Sequence, residues 1–367
     1  MTSHLTWVEV DLSAIQNNVQ QLKTIAGTRL MAVVKANAYG HGVDAVARAA
    51  AQAGADWLGV ARVSEGVALR ESGLALPILV MGYTPRAEAA AAIGSGLTLT
   101  VYDFEAVRAY AALAQAVGRR ARLHIKVETG MGRLGVLPEE TVEFTRAVSA
   151  LDGVKVEGLF THFARADEID LSSAHAQMAK FESVLSGLAA AGLRPPLVHA
   201  ANSAATLTLP QARYDLVRCG VAIYGLHPSN NVCCPLGFMP ALTWKASVAQ
   251  VKTLPPGHGI SYGSEYVTST KETVAVVTVG YADGFRRVAG NELLLQGQPA
   301  PVRGRVCMDQ LIVGVSHIPN VHLGDEAVLV GRQGPTILRA EEVARRWGTI
   351  NYEVLCGVSA RVPRIYC

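Results

Sequence analysis

From about residue 30 to residue 226, short β-branched apolar runs alternate with Ala-rich segments of helical period. The runs are Leu30–Lys35, Trp57–Val60, Ile78–Gly82, Leu97–Tyr102, Arg122–Val127, Val154–Thr161, Leu197–Ala200 and Tyr214–Cys219. Helices are predicted between them, among them Val43–Ala53, Phe104–Val117 and Ala174–Ala191, the last with Met178, Phe181, Leu185 and Leu188 on one face. Strand and helix in strict alternation force parallel pairing, and eight such units close into a (β/α)8 barrel of the TIM type. An open doubly wound sheet is the competing arrangement.

After Gly225 the texture changes. His227, Pro228, Asn230, Asn231, Pro235 and Gly237 form a breaker-rich stretch that reads as an interdomain linker. Beyond it the pattern predicts mainly strands: Trp244–Val251, Thr273–Val279, Leu293–Leu295, Val302–Val306, Leu311–Val315 and Ala327–Val330, with one helix at Ala340–Trp347. At the start, a strand at Trp7–Val10 precedes a helix signalled by Asp11 or Ser13 as cap and by Leu12, Ile15, Val19 and Leu22. The expected organisation is α/β. A barrel occupies 11–230 and a mostly β domain occupies 231–367, joined by the N-terminal strand within 1–10.

Composition narrows the function classes. The chain has 367 residues and is 50% hydrophobic, enough for a barrel-sized core plus a smaller one. Its net charge of +3 comes from 33 basic and 30 acidic residues with no like-charge run, so neither a nucleic acid nor a membrane is the expected partner. No stretch has the length of a membrane span, and residues 1–11 show no export signal, which together with six cysteines lacking C-x-x-C spacing points to the cytoplasm. Ten scattered histidines without an H-E-x-x-H pair give no support for a metal.

In a barrel of this kind the active site lies at the C-terminal ends of the strands. Lys35 ends the first run, Arg133 follows the fifth, His162 ends the sixth, Ser203 follows the seventh, and Arg218 lies near the end of the eighth. One such residue is unremarkable, whereas five on one rim call for a common cause. Asn202-Ser203 and Arg218-Cys219-Gly220-Val221 offer a hydroxyl and backbone N–H groups after strands seven and eight, where barrels often hold a phosphate. A lysine ending an apolar strand is either a snorkelling surface residue or an amine tuned for Schiff-base chemistry. The context Lys35-Ala36-Asn37-Ala38-Tyr39-Gly40-His41-Gly42 favours the second reading, because its glycines permit close backbone approach and Tyr39 supplies a hydroxyl.

The run Ala32-Val33-Val34-Lys35-Ala36-Asn37-Ala38-Tyr39-Gly40-His41-Gly42 resembles the pyridoxal phosphate attachment motif of alanine racemases. Further blocks resemble that family in its order. They are Lys126 to Gly135, Phe160 to Ala164, Ala201 to Ala204, Arg218 to Gly225, Ser261-Tyr262-Gly263, Val279 to Phe285, Cys307-Met308-Asp309 and Asn351-Tyr352-Glu353. The resemblance covers nearly the whole chain, and the combination is far more specific than any one block.

The resemblance implies an isomerase that interconverts L- and D-alanine, for peptidoglycan supply or alanine catabolism. Lys35 would hold pyridoxal 5'-phosphate as the internal aldimine and act on the D-isomer. Tyr262, donated across a homodimer interface, would act on the L-isomer. Arg218 would face the pyridine nitrogen with His162 hydrogen-bonded to it, although a lone strand-end histidine is also compatible with a purely structural role. Tyr39, Ser203, Gly220, Val221 and Tyr352 would hold the phosphate, and Arg133 and Met308 the substrate carboxylate. Lys126 matches a lysine that is carbamylated in many relatives. Asp167, Tyr281, Arg287, Arg305 and Asp309 match supporting or entry-corridor positions, where a plain solvated loop residue is the competing reading.

Two departures stand out: Glu128 where the family often has Asp, and Gly314 where relatives often have an acid. The nearest rival, a pyridoxal phosphate decarboxylase of basic amino acids, resembles a different pattern with a catalytic cysteine in its second domain. A single-barrel, non-catalytic pyridoxal phosphate carrier would end near the linker, leaving about 140 residues without a role.

Overall fold

All eight apolar runs become parallel strands in the computed structural model, which describes residues 4–367. They are Arg29–Val33, Trp57–Val60, Ile78–Val80, Thr98–Val101, Ala121–Lys126, Val154–Phe160, Leu197–His199 and Leu216–Cys219. Each pairs with the next in sequence as far as the seventh, and the eighth returns to pair with the first, Ala32 opposite Cys219. Between the seventh and eighth runs no ladder forms, but Asp215 N–H donates to Val198 O (3.0 Å) and Arg218 N–H to Ala201 O (2.9 Å). The expected (β/α)8 architecture is therefore present as a nearly closed barrel rather than an open sheet.

Two units divide the chain: 14–38 with 43–239, and 4–13 with 39–42 and 240–367. In the barrel unit, Met31, Trp57, Leu79, Leu197 and Leu216 fill one core cluster, because alternate residues of each strand point inward. The helices cover the outside. Leu12–Ala26 buries Ala14, Ile15, Asn18, Val19, Leu22 and Ala26, a stripe of helical period. Asn18 on that stripe donates to Ile223 O (3.1 Å) and Met239 O (2.8 Å), and its carbonyl oxygen accepts from Met239 N–H. Asn17 and Gln21 reach Gly237 O as well, so the breaker-rich stretch is fastened to the first helix.

In the β-rich unit the long strand Leu242–Leu254 is the hub, pairing antiparallel with Thr6–Val10, Glu272–Val277 and Glu326–Gln333. Thr6–Val10 also pairs in parallel with Arg364–Tyr366. One predicted strand is absent. Val302–Val306 makes a single bridge, Val302 to Val313, and the strand lies instead at Gln298–Pro301. The backbone leaves the ladder there because Gly304 takes φ +71° and the carbonyl of Arg305 accepts the Ser261 hydroxyl (2.6 Å). Arg303 turns to pair with Glu272 (2.8 Å). A Cβ on Gly314 would sit 2.7 Å from that carboxylate, so glycine at this position keeps room for the ion pair.

Among the described residues, no helix is long and apolar enough to cross a membrane.

Candidate active site

Lys35 opens one turn of left-handed helix. Ala36, Asn37, Ala38 and Tyr39 all take φ of 52–53°, and Gly40 follows at 85°. For L-residues other than glycine this conformation costs on the order of 1–2 kcal/mol each, so neighbours must impose it. In the barrel unit Glu65 accepts Ala36 N–H (2.6 Å), Ala38 N–H bonds Val34 O (2.9 Å), and Asn37 accepts Val43 N–H (2.9 Å). Glu65 also caps its own helix through Ala61 and Arg62 N–H, which fastens the Lys35 turn to the loop after the second strand. In the β-rich unit, the Gly40 carbonyl accepts from Arg364 (2.9 Å), and a Cβ on Gly40 would collide with the Leu355 carbonyl.

Lys126 is the last residue of the fifth barrel strand and only 4% exposed. Burial, then the charges of Arg133 and Arg218, push its amine down to about 8. Lys35 adds to the effect and Glu128 opposes it. These groups thus share one electrostatic neighbourhood at the rim. Glu128 turns inward on its own loop, accepting N–H from Gly130 (2.5 Å) and Arg133 (3.2 Å), and so shapes the loop that carries Arg133. Among the described residues, Lys126, Arg133 and Arg218 have no carboxylate within ion-pairing distance.

Arg218 is 3% exposed, and its hydrogen-bond partners are neutral acceptors. Its Nη1 donates to His199 Nδ1 (2.8 Å), and its Nη2 to Thr161 O (2.7 Å), Ala200 O (2.9 Å) and His162 Nδ1 (3.1 Å). Burial lowers its pKa to about 9, still protonated at neutral pH. His162 is held well below its usual range by burial first and then by Arg218, Lys126, Arg133 and Lys35. After the seventh strand, Asn202 caps the helix Ser203–Thr208, and Ser203 Oγ accepts Gly220 N–H (2.9 Å) and Ala222 N–H (3.4 Å). Val221 opens the short turn after the eighth strand. A hydroxyl ringed by backbone N–H groups is a nest that suits a phosphate.

The other sequence-predicted residues belong to the β-rich unit, apart from Asp167. Tyr39 and Tyr352 lie with ring centroids 6.0 Å apart, and burial, followed by Tyr352 and Cys356, pushes the Tyr39 hydroxyl up. Tyr262 is 67% exposed and follows Ser261, whose φ of 62° is unusual for a residue with a side chain. Tyr281 N–H and Ala282 N–H are received by the carbonyls of Cys307 (3.1 Å) and Met308 (3.0 Å). Arg287 reaches Val306 O (3.2 Å), Arg305 pairs with Glu265, and Asp309 pairs with Arg361 (2.8 Å). Asp167, in the barrel unit, takes part through its carbonyl, which accepts from Ser229 (2.5 Å), and not in the cationic group.

Gln177 was missed by the sequence pattern, which put Met178 on the buried face of its helix. Gln177 is buried instead, and it donates to His162 O (3.0 Å) and Thr129 Oγ1 (3.2 Å) and accepts Ala164 N–H (2.9 Å). It ties the loops bearing Arg133 and His162. A lone amide set between the apolar Ala176 and Met178 was the available signal. No group of three or more His, Cys, Asp or Glu side chains among the described residues is placed to hold a metal.

Comparison with known proteins matches two family models, "Alanine racemase, N-terminal domain" over residues 10–228 and "Alanine racemase, C-terminal domain" over 241–366. The alanine racemase of Symbiobacterium thermophilum is 49% identical, over 98% of this chain and 97% of its own. That of Methanococcus maripaludis is 43% identical over the full length of both. Among solved structures, the alanine racemase of Clostridium difficile 630 superposes with a TM-score of 0.96 at 38% identity, covering 100% of this chain and 97% of its own. The Bacillus anthracis alanine racemase with bound L-Ala-P gives 0.94 at 41% identity, covering 100% and 96%.

The site carries a pH signature. His124 and His199 are both 0% exposed, and burial holds His124 down to about 3 and His199 well below the usual histidine range. The unfolded chain therefore binds protons below about 6.5 that the folded chain refuses. Their contribution to stability is complete above that pH and is lost as the pH falls. Thermal unfolding between pH 8 and pH 5 is expected to show a falling midpoint, each of the two histidines contributing about 1.4 kcal/mol per pH unit below 6.5. A midpoint that rises on acidification would contradict it.

Proposed function

The chain belongs to the alanine racemase family, pyridoxal phosphate-dependent isomerases of L- and D-alanine, and on that premise we propose how its own residues run the reaction. The observation that carries the reading is the convergence on one rim of Lys35, Lys126, Arg133 and Arg218 around His162. Such a group suits a ligand bearing a phosphate and a carboxylate. The Ser203, Gly220 and Ala222 nest suits the phosphate, with Val221, Tyr39 and Tyr352 as its further holders, and Lys35 suits covalent attachment through its amine. When bound, pyridoxal phosphate supplies a conjugated ring that spreads the negative charge left when the Cα–H proton departs.

Arg218 would face the ring nitrogen of the bound cofactor. A guanidinium gives up its proton far less readily than a pyridinium, so it donates a hydrogen bond without protonating the nitrogen. By leaving that nitrogen unprotonated, Arg218 would keep the bound cofactor a weaker electron sink and so favour return of the proton over side reactions. Arg133 holds the substrate carboxylate through a charge-assisted bond, alongside the backbone at Met308. Inversion requires an acid and a base on opposite faces of Cα. Lys35 moves the proton of the D-isomer, and Tyr262 of the partner subunit moves that of the L-isomer. The exposure of Tyr262 on its own chain supports donation to a neighbour. Asp167, Tyr281, Arg287, Arg305 and Asp309 border the approach. The reaction is cytoplasmic, supplying D-alanine to peptidoglycan or drawing alanine into catabolism.

Lys126 completes the scheme as a carbamate. With its pKa near 8, about a tenth of its amine is neutral at pH 7, against a vanishing fraction for an ordinary lysine. The free amine adds to carbon dioxide and releases a proton, exchanging a cation that repels Arg133 for an anion that braces it. Incubation with carbon-13 bicarbonate is expected to give one lysine carbamate resonance that Lys126→Ala lacks. Identical spectra from the two proteins would remove the carbamate from the scheme.

Sharing of the site between subunits is tested by co-expressing Lys35→Ala and Tyr262→Ala chains, each inactive alone. Mixed dimers hold one intact site and one doubly defective site, so the mixture is expected to recover about a quarter of the wild-type rate. Recovery of none would place Lys35 and Tyr262 of the same chain in one site.

A further inference from the structure

Behind Arg218, on the side of the barrel interior, stands a column of two buried imidazoles that the reading above does not use. Arg218 Nη1 donates to His199 Nδ1 at 2.8 Å, and His199 Nε2 lies 2.9 Å from His124 Nδ1. Beyond it, His124 Nε2 has no hydrogen-bond partner among the described residues, although the ring is fully buried. The seat of His124 is built for it. Gly158 is its register partner on the next strand, and a Cβ there would come within 2.7 Å of three ring atoms. The Trp57 ring closes the other side at 5.2 Å, and His199 lies flat on Phe160, centroids 4.8 Å apart and planes 5° from parallel. The Arg218 guanidinium sits over that same phenylalanine at 5.2 Å.

Hydrogen-bond polarity along the column follows from one fact: a guanidinium only donates. His199 Nδ1 must then present its lone pair, which leaves the hydrogen of a neutral ring on Nε2. That hydrogen points at His124 Nδ1, which accepts, and the hydrogen of His124 is pushed to Nε2, where nothing receives it. A proton added to His199 Nδ1 would aim an N–H at the guanidinium, and a ring flip would replace an acceptor with a C–H. The column has one arrangement that satisfies Arg218, and its end is an unsatisfied buried donor that an apolar side chain at 124 would avoid.

We propose that His199 and His124 are positioning residues for Arg218, a fixed-tautomer relay that holds the guanidinium at one height and orientation and offers it only neutral acceptors. This rests on the placement of Arg218 against the cofactor ring argued above. The relay matters there because a guanidinium free to tilt would no longer align its remaining N–H groups with a single nitrogen. His124 acts two hydrogen bonds behind Arg218 and touches no reacting atom.

The test has two parts. Nitrogen-15 NMR of histidine-labelled protein, without and with pyridoxal phosphate, is expected to show His124 and His199 both neutral with hydrogen on Nε2 from pH 8 to pH 6. Finding His199 with hydrogen on Nδ1, or as imidazolium, would overturn the relay whether or not the cofactor reading stands. In the loaded enzyme, His124→Leu is expected to weaken pyridoxal phosphate binding about tenfold, shift the cofactor absorption band, and raise loss of cofactor as pyridoxamine phosphate per turnover. His124→Gln, which returns an acceptor, should recover most of the affinity and spectrum. Wild-type affinity, spectrum and product ratio in His124→Leu would reduce the histidine to packing. Wild-type protein that binds no pyridoxal phosphate would defeat the functional reading and leave the tautomer measurement to judge the relay.

Discussion

The whole site is organised around a buried guanidinium that has no carboxylate. Taking an unpaired charge out of water costs several kcal/mol, and the usual remedy is an ion pair. Arg218 is instead received by two imidazoles and two backbone carbonyls. Neutral acceptors stabilise the cation without cancelling its charge, so the field of Arg218 persists at the rim. Burial first, and then that field, depress His162 and His199, and Lys126 is lowered by burial, Arg133 and Arg218 in turn. A carboxylate beside Arg218 would quench it and would compete for any anionic ligand.

From this constraint the rest follows in sequence. A surplus of positive charge on the strand ends suits an anion, and in the proposed reading the group at Ser203 is the uncharged half of its phosphate site. Lys126, buried among cations, is driven toward its neutral form, the one that reacts with carbon dioxide. The backbone beside Lys35 is fixed by a turn in a costly left-handed conformation, held through Glu65 and Asn37. In the proposed reading, rigidity at Lys35 and persistence of charge at Arg218 serve one chemistry, which needs position and field rather than flexible surface groups.

Much of this was legible in the chain, and what was not failed for identifiable reasons. The barrel strands were readable because each is a short β-branched run bounded by breakers, and the rim residues because polar groups right after such runs are conspicuous. The turn at Ala36–Tyr39 was hidden, since Ala-Asn-Ala-Tyr reads as ordinary helix and only tertiary contacts force positive φ. Val302–Val306 read as a strand because its composition is right, but Gly304 and the Ser261 hydroxyl divert its backbone. Gln177 and Glu65 were missed because the partners that matter, His162 O and Ala164 N–H for one and Ala36 N–H for the other, lie on other segments of the chain. His124 had a usable signal that went unread: it alternates with Lys126 on the fifth strand, so both share a face, and His199 sits where the seventh strand ends.

In the proposed reading, this field and this pair of proton carriers invert alanine cleanly at Cα. The most direct measurement is incubation of the pyridoxal phosphate-loaded protein with L-alanine in deuterium oxide, following isotope and handedness together. D-alanine bearing deuterium at Cα, with the cofactor absorbance unchanged over many turnovers, is the predicted result. Exchange at Cα without D-alanine, or release of carbon dioxide, would contradict the account.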